Sequence, residues 1–430
     1  MREMKDSGVE WIGKIPKYWN LERIQFCLKE ISVLNYPIKT EQVLSLVKDK
    51  GVMLYEDKGN KGNKAKEDVS TYKLAYPNTL IVNSMNILIG SVGISQFLGC
   101  VSPVYYVFKD TYKSDLRFIN YVFNTREFQK ELRKYANGIL EIRLRVSAYD
   151  IFKRKIPLPS KEEQRKIADF LDEKCAEIDA LTSDIQTQIE TLEEYKKSVI
   201  TEAVTKGLDP NVEMKDSGIE WVNKIPINWE INKIKYLSNQ LFKGQGIKKD
   251  DVDPSGSIPC IRYGEIYSKY SNTFNQCFSF INSNQLSHKQ PFLQQGDIVF
   301  AITGELIEEI GKNVLYTGNE HCAVGGDIVV ARITGDTRFM NYALNSSYCQ
   351  NQKSCNKFKL KVVHISSFEI GNIILLLPPT NIQKEIADFL DKKCSEIDLT
   401  ISEKQQQLET LAEYKKSLIY EYVTGKREVA

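Results

Sequence analysis

The sequence has no long hydrophobic run. Its longest purely aliphatic stretch is Ile373–Leu377, far short of the ~20 apolar residues that a membrane-spanning helix needs. The N-terminus is polar and charged, without the apolar core of a signal peptide, so the cytoplasm is the expected location. Histidine is scarce: His288, His321 and His364 stand far apart, with no H-E-x-x-H. The nine cysteines are scattered, odd in number and free of any C-x-x-C pair. Reduced, mostly buried thiols are therefore expected, not a disulfide framework or a structural metal site. Net charge is only +2, so any attraction to nucleic acid must come from local patches.

Catalytic signatures are missing as well. There is no P-loop G-x-x-x-x-G-K-[ST] and no G-x-S-x-G elbow. FKGQG, residues 242–246, fits the F-x-G-x-G loop that approaches S-adenosylmethionine. A charged GIKKDD follows it, however, and the nearest double proline, LPPT at 377–380, lacks the acid or amide that a base-holding loop needs. It reads as a glycine turn.

What the sequence does contain is itself, twice. EMKDSGVEWIGKIPKYW at 3–19 returns as EMKDSGIEWVNKIPINW at 213–229, with twelve of seventeen positions identical. QRKIADFLD at 164–172 returns as QKEIADFLD at 383–391, and EYKKS at 194–198 as EYKKS at 413–417, both 219 residues on. Each of these second repeats opens a stretch without Gly or Pro. With Ala168 at heptad position a, the a/d series runs Ala168, Leu171, Cys175, Ile178, Thr182, Ile185, Ile189, Leu192. The second copy gives Ala387, Leu390, Cys394, Ile397, Ile401, Lys404, Leu408, Leu411. Seven of eight positions are apolar in each copy, and a 3.5-residue spacing held this long describes a coiled-coil seam. Gly207 with Pro210, and Gly425, supply the helix stops. Two matched seams in one chain are best satisfied by each other.

A chain of 430 residues exceeds one ordinary core. The repeats divide it into a mixed α/β globule at 1–160, a long helix at 161–208, a second globule at 209–379 and a second helix at 380–430. Strands are expected at Thr79–Val82, Tyr105–Phe108, Asp297–Ala301 and Asp327–Ala331, where short apolar runs are bounded by turn residues. The globules share only faint echoes, RFINYVFN at 117–124 with RFMNYALN at 338–345, and Val146-Ser147 with Ile365-Ser366.

The remaining chemistry is that of binding. DKGNKGNKAK at 57–66 sets Lys58, Lys61, Lys64 and Lys66 on a glycine loop that can follow phosphates. Arg143 and Arg145, two apart, would point the same way on a strand and could read guanine edges or grip phosphate. In the second globule, Lys357, Lys359 and Lys361 alternate likewise, Lys248 and Lys249 follow the glycine turn, and Arg262 and Tyr263 flank Gly264 at a strand end. Solvated loops and structural ion pairs are the plainer readings of the same residues.

The whole pattern resembles the DNA-specificity subunit of Type I restriction–modification systems. MKDSGVEWIGKIPKYW and its copy, the two IADFLD helices, IPCIRYGEIYSKY (258–270) and GSVGISQFLGCVSPVYYVF (90–108) carry the resemblance. It implies a non-catalytic tandem repeat with pseudo-two-fold symmetry: two target-recognition domains, each reading half of a split asymmetric sequence in double-stranded DNA, and an antiparallel coiled coil as spacer. It also implies two methyltransferase (modification) subunits carrying S-adenosylmethionine, and restriction subunits using ATP and Mg, with no cofactor in this chain. Two rivals stay open: a coiled-coil adaptor with protein-binding globules, and an enzyme with an unfamiliar motif.

Overall fold

The computed structural model describes residues 2–48, 50–59, 68–138, 144–358 and 362–429. The chain forms two compact units, Met1–Ile185 with Gln406–Ala430, and Gln186–Gln405. Each unit draws on both long helices, Lys161–Lys206 and Thr380–Val423.

The first unit is built around a four-stranded antiparallel sheet in the order Leu28–Glu30, Tyr105–Asp110, Leu80–Asn83, Val92–Ile94. The helices Leu116–Phe123 and Arg126–Arg133 add Phe118, Phe123, Phe128 and Leu132 to its core. The second unit has a five-stranded sheet in the order Ser238–Lys243, Ile328–Ile333, Ile298–Ala301, Asn313–Tyr316, Thr273–Phe274, antiparallel except for the last pair. A three-stranded sheet, Ser279–Ile281, Ile258–Ile261, Ala323–Val324, lies beside it in sequence; among the described residues the first unit forms no three-stranded sheet. The four expected strands are all present, with no end displaced by more than two residues.

Each short repeat makes the same hairpin. Met4 faces Pro16, and Met214 faces Pro226. The turn explains the K-D-S-G: Asp6 and Asp216 each accept the backbone N–H two residues on, at 2.9 Å. Those N–H groups belong to Gly8 and Gly218, at φ of +66° and +65°, a conformation that costs glycine nothing and other residues much. The hairpin's exit, I-P-x-x-W, buries Trp19 and Trp229.

In the first unit Lys415 pairs with Asp179 at 2.5 Å, and Tyr422 stacks on Phe170. In the second, Lys196 pairs with Asp398 at 2.6 Å, and Lys404 donates to Gln188 at 2.5 Å. In both, residue numbers rise on one helix as they fall on the other, so the segments run antiparallel. Along the seam, Leu171, Ile178 and Ile185, and Leu390 and Ile397, are buried; Leu192, Leu408 and Leu411 are half-buried. Lys404 breaks the apolar pattern at little cost because its stem can lie along the seam while its ammonium reaches Gln188. The helices stop where Gly207 and Gly425 turn left-handed, at φ of +80° and +71°. They begin at Lys161 and Thr380, so that Lys161–Glu163 and Thr380–Ile382 complete a first turn ahead of Gln164 and Gln383.

One expectation is corrected. Cys277 and Cys322 form a disulfide across 45 residues. Scattered spacing gave no sign of it, since tertiary packing alone brings the two residues together. Of the seven free cysteines, all but Cys355 are buried.

Candidate nucleic-acid interface and its anchors

Both units mount their globule on the long helix by one arrangement of side chains. Asp115 and Asp336 cap the helices Leu116–Phe123 and Thr337–Leu344, each accepting two backbone N–H groups. The N–H of each cap residue donates in turn to a covered glutamine of the long helix: Asp115 to Gln164 at 2.8 Å, Asp336 to Gln383 at 3.2 Å. The glutamine amides then donate to the carbonyls of Pro159 and Pro378. A turn further on, Arg117 Nη1 bridges Asp169 and Asp172 at 2.7 and 2.8 Å, and Arg338 Nη1 bridges Asp388 and Asp391 at 2.8 and 2.7 Å. Tyr121 and Tyr342 donate to Asp172 and Asp391. Burial, with the neighbouring carboxylate second, pushes both phenols far above their ordinary range.

Gln164, Asp169 and Asp172 belong to QRKIADFLD, and Arg117 and Tyr121 to RFINYVFN. The two repeats, one strong and one faint, are halves of one anchor. The sequence displays both repeats but not their meeting, because a contact across 52 residues leaves no periodic signal.

The positions singled out in the sequence fare differently. Lys58 ends the turn Glu56–Lys58, its ammonium 4.1 Å from the Tyr55 ring; Lys61, Lys64 and Lys66 lie outside the described residues. Arg145 is exposed, held by backbone bonds with Asn137 at 2.8 and 2.9 Å; Arg143 lies outside the described residues. Lys248 and Lys249 are exposed, but the backbone of Lys248 is capped by Asp251 at 2.6 Å, which places acid among the cations. Arg262 precedes the helix Tyr263–Ser268, where its N–H and guanidinium both bind Glu265. Its neighbour Tyr263 is exposed. Lys357 lies beyond the helix Ser347–Ser354, not on a strand, and pairs with Glu369 at 2.5 Å. Lys359 and Lys361 lie outside the described residues.

Two further aromatics stand exposed. Tyr149 is 65% exposed, with Lys153 Nζ 4.0 Å from its ring, and Phe368, 219 residues on, is 77% exposed. Each follows a serine cap, Ser147 or Ser366, on the last short helix before the exit strand. Exposed aromatic side chains can make apolar contact with thymine methyl groups in the major groove of a duplex. The serine alignment in the sequence could have located them.

FKGQG is structural. A Cβ on Gly244 would lie 2.1 Å from the Gly325 carbonyl. The glycine thus lets two backbones approach, and no ligand is needed to explain it. Among the described residues no helix is long and apolar enough to cross a membrane.

A family model described as the Type I restriction modification DNA specificity domain matches residues 25–191 and again 226–410. The chain is similar to the Type I restriction enzyme MjaVIII specificity subunit of Methanocaldococcus jannaschii, 28% identical over 280 residues, covering 64% of this chain. That match spans 62% of the relative's own length. Similarity to the Type I restriction enzyme EcoKI specificity subunit of Escherichia coli is 20% over 403 residues, or 87% of this chain and 82% of that one. A chain from a type I R-M system solved for its complex assembly and conformational transition shares the fold at a TM-score of 0.71 and 13% identity, covering 96% of this chain and 99% of that one.

Proposed function

Because the chain belongs to the Type I restriction modification DNA specificity family, we propose that its two globules each read one half of a split, asymmetric duplex sequence and bring a methyltransferase to it. One observation carries this reading. The anchors, Arg117 with Asp169 and Asp172, and Arg338 with Asp388 and Asp391, are alike, while the sheets they carry differ, four strands against five. A shared mount with divergent readers suits a bipartite target with unlike halves.

Catalysis belongs to partners in this reading. Two modification subunits hold S-adenosylmethionine, and restriction subunits use ATP and Mg. With a net charge of +2, the chain alone should hold DNA weakly, and the partners add phosphate contacts. Lys58, Arg145, Lys248, Lys249, Tyr149, Tyr263 and Phe368 are the described residues offered to DNA. The test is an exchange of residues 20–160 for the same region of a relative, followed by methylation-sensitive sequencing. One half of the methylated sequence should change and the other persist; a change in both halves would refute two independent readers.

A further inference from the structure

The matched parts of the two units make a difference at an equivalent position informative. In the first unit, Tyr420 OH donates to the carbonyl of Trp11 at 3.0 Å, and Trp11 packs on Phe128 with ring centroids 5.2 Å apart. Trp11 is buried as a result. Two residues on, Tyr422 stacks on Phe170 at 4.5 Å.

At the repeat offsets Trp11 becomes Trp221 and Phe170 becomes Phe389, but the side chains that cover them shrink. Tyr420 is replaced by Thr201, Tyr422 by Ala203 and Phe128 by Cys349. Trp221 is accordingly 36% exposed and Phe389 41%. A cavity of about 550 Å3 opens beside Thr201, Trp221 and Tyr348, and one of about 520 Å3 beside Ala203, Leu208 and Phe389. Both lie along the last turns of Lys161–Lys206, within the second unit.

We propose that this face receives aromatic side chains of a modification subunit, seated where the first unit seats its own Tyr420 and Tyr422, so that the two docking positions on the chain are unequal. The first unit shows what such a space accommodates: a phenol whose hydroxyl donates to a tryptophan carbonyl, and a ring stacked on a phenylalanine. The rim carries both signs, Glu194 and Glu202 with Lys197 and Lys206. Walls that set Trp221, Tyr348 and Phe389 among polar side chains, with a mixed-charge rim, match a protein partner. A phosphate backbone would call for cations alone. The inference rests on the proposed function for the existence of that partner.

The test fills the cavities with the first unit's own residues, Thr201→Tyr with Ala203→Tyr. Purified modification subunit from the same system is titrated into the full chain by calorimetry, with tryptophan fluorescence in parallel. Wild type should show two unequal binding events, the tighter one changing the emission of Trp221. The filled variant should lose about tenfold or more in that event, keep the other, and melt no lower than wild type. Phe389→Ser should weaken the same event. Binding by both variants indistinguishable from wild type would overturn the proposal. So would a dimer of the chain alone that filling abolishes, since the face would then belong to a second copy. A wild-type chain that binds no modification subunit would sink the proposed function itself, and this inference with it.

Discussion

The Tyr342 hydroxyl donates to Asp391 at 2.9 Å, and that carboxylate is the one Arg338 holds at 2.7 Å. Two groups from the globule thus converge on one acid of the long helix. Arg338 and Asp391 are each more than a third exposed on their side chains, so solvent screens the pair. Arg338→Ala should cost about 1 kcal/mol, far from the figure for a buried ion pair. Tyr342→Phe should cost about 1–2 kcal/mol for a bond to a charged acceptor. Because both act on Asp391, the double variant should depart from additivity, measurable by denaturant unfolding as a double-mutant cycle. Strict additivity would show that the two contacts work independently.

Lys353 gives the second unit a pH dependence. It is fully buried, with its ammonium on Asn313 Oδ1 at 2.8 Å and the Leu344 carbonyl at 2.7 Å, and no carboxylate among those partners. Desolvation lowers its pKa to about 8, whereas the unfolded chain keeps a value of about 10.4. Below the folded value both states hold the proton, and the burial cost stands in full. Between the two values the unfolded state binds more protons, so stability rises with pH. Relative to Lys353→Met, wild type should gain on the order of 3 kcal/mol from pH 8 to about 10.4. A flat difference across that window would mean the ammonium is not desolvated.

Ile178 and Ile397 occupy equivalent seam positions and are 8% and 5% exposed. A carboxylate at either would be an unpaired buried charge. Ile178→Asp and Ile397→Asp should each destabilise their own unit by about 3 kcal/mol or more, seen as early melting in calorimetry. Unchanged melting in both would show that the seam carries no load.

Lys248→Gln with Lys249→Gln should weaken binding of the assembled complex to target and scrambled duplex alike. Its salt dependence should flatten by about one unit of slope per lost phosphate contact. Arg145→Ala should instead cost about 1–3 kcal/mol on target only, relaxing specificity in one half-site. An equal loss on both duplexes would assign Arg145 to phosphate.

The sequence by itself determined what is periodic or repeated. The seam from Leu171 to Leu411 was legible because burial on a helix recurs every three or four residues. The hairpins were visible as duplicates because a D-S-G turn needs those residues side by side. The helix stops showed as glycines. Tertiary structure alone decided what depends on distant residues meeting. Arg117 reaches Asp172, Cys277 reaches Cys322, and Lys353 is sunk beneath Asn313, each across a separation that leaves no local pattern. The candidate interface divides the same way. Charge identified Arg145 and Lys248, but only packing showed that Glu369 neutralises Lys357 and Glu265 holds Arg262, and that Tyr149 and Phe368 stand exposed. A side chain's type is written in the sequence, whereas its availability depends on which neighbours the fold places against it.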